Sequence, residues 1–333
     1  MIVWVLTDDR VGSNNQSIAI AERLSDYYII KKILYNSFIG LPNFIRGSSL
    51  IGVDKINSSN ILDELPDVVI CAGRRLSSVA LNIKKRNRNR TFIINLMNPN
   101  LSYEKFDLLL LPKHDNTPQK FIDMGNVVET NGGLNGINEA KIEAEIEKWS
   151  KFFIGYKRPI VSLIIGGDTK NYKYNPNDFG HMITKVSDIV NGISGTLLIT
   201  TSRRTSKECL NKIRQKVTCD YYLYDWKWEN DSRNLTRNNL GNPYYSLLGL
   251  SNYLIVTGDS ISMISEACAT GKPIYLYMPK HTLSKKHYRF CELMVEQGYT
   301  RELNENTVKF EDYNYKPLNE LDRVVNIICE KLK

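Results

Sequence analysis

The densest set of groups able to hold an anion lies between Tyr253 and Pro273. The apolar run Tyr253 to Val256 leads into Thr257-Gly258-Asp259-Ser260, and a helix of small residues begins at about Ser260. The first turns of such a helix present backbone N–H groups without intrahelical partners, and the serine hydroxyls of Ser260 and Ser262 add to them. Free amides and the helix dipole both favour phosphate. Glu266 falls two turns in, where it could accept hydrogen bonds from ribose or sugar hydroxyls. Gly271-Lys272-Pro273 closes the helix and restarts a strand. The same residues would also serve a purely structural helix capped by Asp259 or Ser260. Two further strand-end loops have the same character. Gly166-Gly167-Asp168 follows the run from Ser162, and paired glycines allow close backbone approach or simply a tight turn. Ser202-Arg203-Arg204-Thr205 follows Leu197 to Thr200, and guanidinium forks at a strand end can bind diphosphate on two oxygens at once.

A second group lies near the amino terminus. Asp8, Asp9 and Arg10 end the first apolar run, and Arg74 and Arg75 follow the run that ends at Cys71. Asp8 or Asp9 could take a proton from an attacking hydroxyl while positive groups stabilise a departing diphosphate. Arg10, Arg74 and Arg75 could hold an anionic acceptor or a phosphate. No carboxylate pair besides Asp8-Asp9 sits at a strand end, and the 4 histidines lack metal-ligand spacing, so no metal is expected. The 6 cysteines are scattered, without a CxxC pair, and read as buried thiols. Asp225-Trp226-Lys227-Trp228 with Asn242-Pro243-Tyr244-Tyr245 forms an aromatic loop that could cover a base or sugar, or anchor a loop. Two basic stretches, Lys84 to Arg90 and Lys280 to Arg289, are read as solvated faces or as contacts with an anionic membrane.

The elements that must position these residues alternate. Strands are expected at Ile2 to Leu6, Asp67 to Cys71, Thr91 to Asn95 and Asp107 to Leu111. A second series is expected at Ile160 to Ile165, Thr196 to Thr200, Tyr221 to Tyr224, Tyr253 to Val256 and Pro273 to Tyr277. The stretch Thr7 to Asn15 reads as a polar loop before a helix from Gln16 to Leu24, and a charged helix spans Glu139 to Phe153. Buried strand runs separated by helices indicate parallel sheets covered on both faces. The fold class is therefore α/β, with two Rossmann-like doubly wound domains facing across a cleft. Residues 1–135 form an amino-terminal acceptor domain and 155–315 a carboxy-terminal donor domain, with a helix in 316–333 packing back on the first. Ligands of such domains bind beyond the carboxyl ends of the strands.

A chain of 333 residues is long enough for two cores, and 42% hydrophobic with 24% charged residues is ordinary for a globular protein. The start MIVWVLTDDR lacks the basic region and long apolar stretch of a signal peptide, and no apolar window reaches spanning length, so a cytoplasmic protein is expected. The net charge of +8 suits nucleic acid, an anionic membrane or a phosphorylated substrate. Neither basic stretch carries a nucleic-acid-binding signature, so no nucleic-acid partner is expected.

Taken together the loops resemble the family of mitochondrial fission Elm proteins, named after a plant factor and with a bacterial branch. The resemblance runs through Trp4, Leu6, Asp8, Arg10, Gly12, Asn15 and Gln16, then Ala72-Gly73-Arg74-Arg75, Gly166-Gly167-Asp168, Ser202-Arg203-Arg204-Thr205, Asn242-Pro243-Tyr244 and Thr257 to Ala267. It implies a GT-B-like architecture and, for bacterial members, a role in cell-envelope glycan or lipopolysaccharide synthesis. The stretch between Trp228 and Gly241 is longer than the family's usual spacing. On this basis the expectation is a metal-independent glycosyltransferase using a nucleotide-sugar as donor substrate and no other cofactor. Its acceptor would be lipid-linked or a polysaccharide, and it would act in the cytoplasm, at the inner face of a membrane. Two alternatives stand beside it: a nucleotide-sugar 2-epimerase, and a non-catalytic membrane-associated scaffold related to the plant factor.

Overall fold

Alternate residues of the first strand feed two different cores. Trp4 and Leu6 join a cluster with Val69, Cys71, Ile93 and Leu109, whereas Val3 and Val5 join another with Val68, Ile70, Ile94 and Leu108. A period of two with apolar residues on both faces is the mark of a sheet buried on both sides. The computed structural model describes residues 1–62, 64–137, 139–169, 172–229 and 240–333. The stretch between Trp228 and Gly241 therefore falls largely outside the described residues, as does the side chain of Trp228.

The chain divides into two units, Met1–Gly136 with Asn319–Lys333, and Ile137–Leu318. The first contains strands β1 (Val3–Thr7), β2 (Tyr28–Lys32), β3 (Val68–Ala72), β4 (Phe92–Leu96), β5 (Leu108–Pro112) and β6 (Val127–Thr130). They form a parallel sheet in the order β2-β1-β3-β4-β5-β6. The helix Gly73–Arg86 covers one face through Leu76, Val79, Ala80 and Ile83. The helices Val11–Leu24 and Glu320–Lys331 cover the other, the latter through Leu321, Val324, Val325 and Ile328.

The second unit contains β7 (Ile160–Ile164), β8 (Thr196–Thr200), β9 (Tyr221–Tyr224), β10 (Tyr253–Thr257), β11 (Ile274–Tyr277) and β12 (Arg301–Glu302). Its order is β12-β11-β10-β7-β8-β9, again parallel throughout. The helix Pro176–Gly192 packs Phe179, Ile183, Val186 and Val190 on one face. The helices Ile261–Cys268 and Lys285–Glu296 pack Ile264, Ala267, Phe290, Cys291 and Met294 on the other. Both units are Rossmann-like. In each, the chain leaves a central strand to one side and returns on the other, which opens a crevice between β1 and β3 and between β7 and β10. Such a reversal of strand order is where ligands of doubly wound sheets bind.

One expectation is corrected. Residues 11–15, read as loop, are the first turn and more of the helix Val11–Leu24, so Gly12 and Asn15 are helical. The polar residues there are tolerated because the opening of the helix is largely exposed.

Candidate functional site

In the second unit the three loops singled out by sequence converge on one carboxylate. Asp259, which follows β10, is 3% exposed. Its Oδ1 accepts from the Thr257 hydroxyl at 2.7 Å and the Tyr174 hydroxyl at 2.9 Å. Its Oδ2 accepts from the Gly167 amide and from Arg204 Nη2, both at 2.8 Å. Burial pushes this carboxyl above the usual aspartate range, and the Arg204 guanidinium and the three neutral donors pull in the opposite direction. Asp259 is thus turned into the protein and ties the β7, β8 and β10 loops together.

The paired glycines serve the same knot. A Cβ on Gly166 would lie 2.0 Å from Asp259 Oδ2, and one on Gly167 would lie 2.4 Å from the Arg204 backbone. Gly167 also has a φ of +129°, which other residues rarely adopt. The Gly166 carbonyl accepts from the Ser202 and Thr205 hydroxyls, and its amide donates to Thr257 Oγ1 at 2.8 Å. Asp168 donates its amide to the Arg204 carbonyl at 3.0 Å. Gly258 is likewise a packing glycine, since a Cβ there would lie 2.7 Å from Leu283 Cδ1.

What this frame leaves open is more telling. Arg203 is exposed and has no hydrogen bond or ion pair among the described residues. Ser260 caps the helix Ile261–Cys268 by accepting from the Met263 amide at 3.5 Å. The amides of Ile261 and Ser262 open that helix and have no intrahelical partner. Ser262 is half-buried. Glu266 accepts a 2.5 Å hydrogen bond from the Tyr244 hydroxyl on Oε2, which leaves Oε1 for another donor. Burial raises the pKa of Glu266, with the Tyr244 hydrogen bond and the Lys141 charge acting against it. Tyr244 begins the helix Tyr244–Leu250, so the aromatic loop supplies the partner of Glu266.

Sequence reasoning missed two residues here. Tyr174 lies in a loop without periodicity, and nothing in its spacing pointed to Asp259. His287 was read only as part of a basic run. In the structure Ser284 caps the helix Lys285–Glu296, its hydroxyl 2.6 Å from His287 Nδ1. Burial lowers the imidazole pKa, as do the charges of Lys286 and Arg204, while the Asp259 charge acts against them. The Ser284-x-x-His287 spacing was the available signal.

In the first unit Asp8 and Asp9 have different surroundings. The Asp8 side chain is fully buried and held by Arg10, with Nη2 at 2.7 Å and Nε at 3.0 Å from Oδ2. Arg75 Nε lies 3.6 Å from the same oxygen. Asp9 is exposed and pairs with Arg75 Nη2 at 2.7 Å. Arg10 lies across the start of the helix Gly73–Arg86, donating to the Ala72 carbonyl at 2.9 Å. A Cβ on Gly73, whose φ is +71°, would lie 2.7 Å from Arg10 Nη1. The Arg74 guanidinium makes no hydrogen bond or ion pair among the described residues, while its carbonyl accepts from Asn43. Among the described residues no group of three or more His, Cys, Asp or Glu is placed to hold a metal, and no helix is long and apolar enough to cross a membrane.

The chain resembles several known proteins over almost its full length. It is 33% identical over 361 residues to an uncharacterized protein of Rickettsia prowazekii, covering 100% of this chain and 99% of that one. It is 27% identical over 312 residues to the mitochondrial fission protein ELM1 of Arabidopsis thaliana, covering 88% of this chain and 70% of the plant protein. Among solved structures, the UDP-GlcNAc 2-epimerase of Methanocaldococcus jannaschii superposes with a TM-score of 0.57 at 13% identity, covering 99% of this chain and 100% of that one. That likeness places the fold in the GT-B class. The family model described as Mitochondrial fission ELM1 matches residues 11–332, and the chain belongs to that family.

Proposed function

We propose that this chain is a nucleotide-sugar-dependent glycosyltransferase whose donor diphosphate binds at the strand ends of the second unit. The observation that carries this reading is the contrast within one loop cluster. Asp259, Gly166, Gly167 and Arg204 are consumed in a rigid frame, while Arg203, the Ile261 and Ser262 amides and Glu266 Oε1 are left with open hydrogen-bonding capacity. A structural cap alone does not need an unpaired guanidinium beside it. Arg203 and the helix amides would hold the diphosphate, and Glu266 a ribose or sugar hydroxyl. In transfer, the acceptor oxygen attacks the anomeric carbon and the carbon–phosphate-oxygen bond breaks. The electron pair then leaves on the diphosphate, where preplaced positive groups stabilise it. Asp9 is proposed as the base, because its oxygens are accessible whereas those of Asp8 are covered by Arg10. The arginines and helix amides supply the charge stabilisation, so we propose that no metal is required. Arg10 and Arg74 would hold an anionic group of the acceptor, for which the family resemblance suggests a lipid-linked or polysaccharide glycan of a bacterial envelope.

The test is product analysis. Donor with acceptor should give a glycosylated product and free nucleoside diphosphate, undiminished by chelator. Loss of activity in chelator, restored by magnesium or manganese, would overturn the metal-independent mechanism. Conversion of donor alone to its 2-epimer would favour instead the activity of the archaeal structural neighbour. Intact function in cells of Arg203→Ala and Glu266→Ala would favour a non-catalytic scaffold instead.

A further inference from the structure

One polar side chain at the strand ends of the second unit, His287, has no part in the frame around Asp259. The chain leaves β11 and returns through the helix Lys285–Glu296, which must run against the strands because β12 pairs parallel to β11. The first turns of that helix therefore lie at the carboxyl ends of the sheet. Two contacts fix them there. Cys291 Sγ donates to the Gly258 carbonyl at 3.6 Å, and a Cβ on Gly258 would lie 2.7 Å from Leu283 Cδ1 and 3.0 Å from that sulfur. His287 precedes Cys291 by four residues, so the two share one helix face. It stands one turn, about 5.4 Å, nearer the helix start. That step leads past Gly258 towards Asp259, Ser260 and the opening of the helix Ile261–Cys268.

The imidazole is held in one setting. The Ser284 hydroxyl oxygen accepts from the His287 amide at 3.1 Å, which caps the helix, and it also lies 2.6 Å from His287 Nδ1. A cap needs the serine only as an acceptor, so the second contact does nothing for the helix and serves the ring. With the oxygen engaged by the amide, the hydroxyl hydrogen is directed at Nδ1, and the proton of the neutral imidazole then sits on Nε2. Burial holds the ring below its ordinary pKa range, which keeps it neutral at neutral pH. Nε2 has no hydrogen-bond partner among the described residues, and the residue is half-buried. An unpaired N–H fixed at a strand-end crevice is suited to an oxyanion, and a diphosphate presents only oxygens that accept.

We infer that His287 is a donor-binding residue whose Nε2–H donates to a diphosphate oxygen of the nucleotide-sugar, with Ser284 as the positioning residue that sets its tautomer. This rests on the reading of the second unit's strand ends as the donor site, and Arg203 separates the failure of one from the failure of the other.

The experiment is titration calorimetry of the full chain with UDP, GDP, CDP and ADP, on wild type, Arg203→Ala, His287→Ala and His287→Gln. With the nucleotide that binds wild type, His287→Ala should weaken affinity by about 10–100-fold, the loss of one hydrogen bond to a charged group. His287→Gln, whose amide nitrogen can reach the place of Nε2, should recover most of that loss. Long-range nitrogen–proton correlation spectra supply a readout that packing alone would not move. They should show the neutral His287 ring protonated on Nε2 in the free protein, and a change in that nitrogen's shift when the nucleotide is added. Ser284→Ala should mix the two tautomers. Unchanged affinity in His287→Ala, while Arg203→Ala loses binding, would overturn the role of His287 and leave the donor site standing. A ring protonated on Nδ1, or an Nε2 shift indifferent to the nucleotide, would overturn it as well. Binding of none of the four nucleotides to wild type would overturn the donor site and the part of His287 in it together.

Discussion

Asp259 and Asp9 are both aspartates just past a strand end, and their surroundings give them opposite roles. Asp259 is buried under four donors, one of them charged. Asp259→Ala would strand Arg204 and three neutral donors, and we expect it to lower stability by about 3 kcal/mol in urea denaturation. A loss near zero would mean that the knot does not hold the loops. Asp9 is exposed and shares one ion pair with Arg75. Asp9→Asn should therefore change stability by no more than about 0.5 kcal/mol. If Asp9 is the base, the same variant should lose about 10²–10⁴-fold in turnover, and unchanged turnover would remove it from the mechanism. Glu266 makes a pH-dependent contribution. Its pKa is raised above the ordinary 4.5 by burial, so the unfolded chain gives up this proton first as pH rises. The contribution of this group to stability is full below 4.5 and is lost as pH climbs through the folded value. Relative to wild type, Glu266→Gln should gain stability with rising pH across that window, measured by denaturation at a series of pH values. A flat difference would contradict the burial of the charge.

At the scale of elements, glycines distinguish frame from open site. Gly167→Ala meets the Arg204 backbone at 2.4 Å from a φ of +129°, so neither relaxation nor a rotamer change relieves it. We expect a cost of about 3 kcal/mol or more, visible as a lower melting temperature. Gly12 has open space where a Cβ would be and lies in the helix Val11–Leu24. Gly12→Ala should stabilise by up to about 1 kcal/mol, and a fall in stability would mean that the position is not the ordinary helical one described. The same elements show what the sequence could disclose. The buried strand β8 was legible to the residue, because a continuous apolar run bounded by turns has one reading. The strands β2, β6 and β12 were not. β2 is half-exposed Tyr-Ile-Ile-Lys-Lys, β6 is partly exposed and β12 is two residues long, so edge position, set only by tertiary pairing, makes them strands. The candidate site was legible as a list of loops, since strand-end glycines and arginines have a characteristic look. That Asp259 and Arg204 face inward while Arg203 faces outward was not legible, because neighbouring residues of one loop diverge according to what packs on them.

At the scale of the whole molecule, the last helix completes the first unit rather than the one that precedes it in sequence. Leu321, Val324 and Ile328 are buried with Val3, Val5, Ile20 and Val68. Ile328→Ala should cost about 2–5 kcal/mol, with amide exchange accelerated in β1 and β3 and little changed in β7 and β8. Equal acceleration in both units would contradict independent cores. Rossmann-type strand order in the second unit puts Gly166, Arg203 and the Ile261–Cys268 helix at one crevice, and the central claim is that this crevice binds a nucleoside diphosphate. The direct measurement is the melting temperature of the purified chain against UDP, GDP, CDP, ADP, CMP and their sugar conjugates, since a ligand that binds only the folded state must raise it. The account predicts a clear rise with one nucleotide series, abolished in Arg203→Ala and retained in Lys285→Ala. No rise with any of them, in protein shown to be folded, would contradict it.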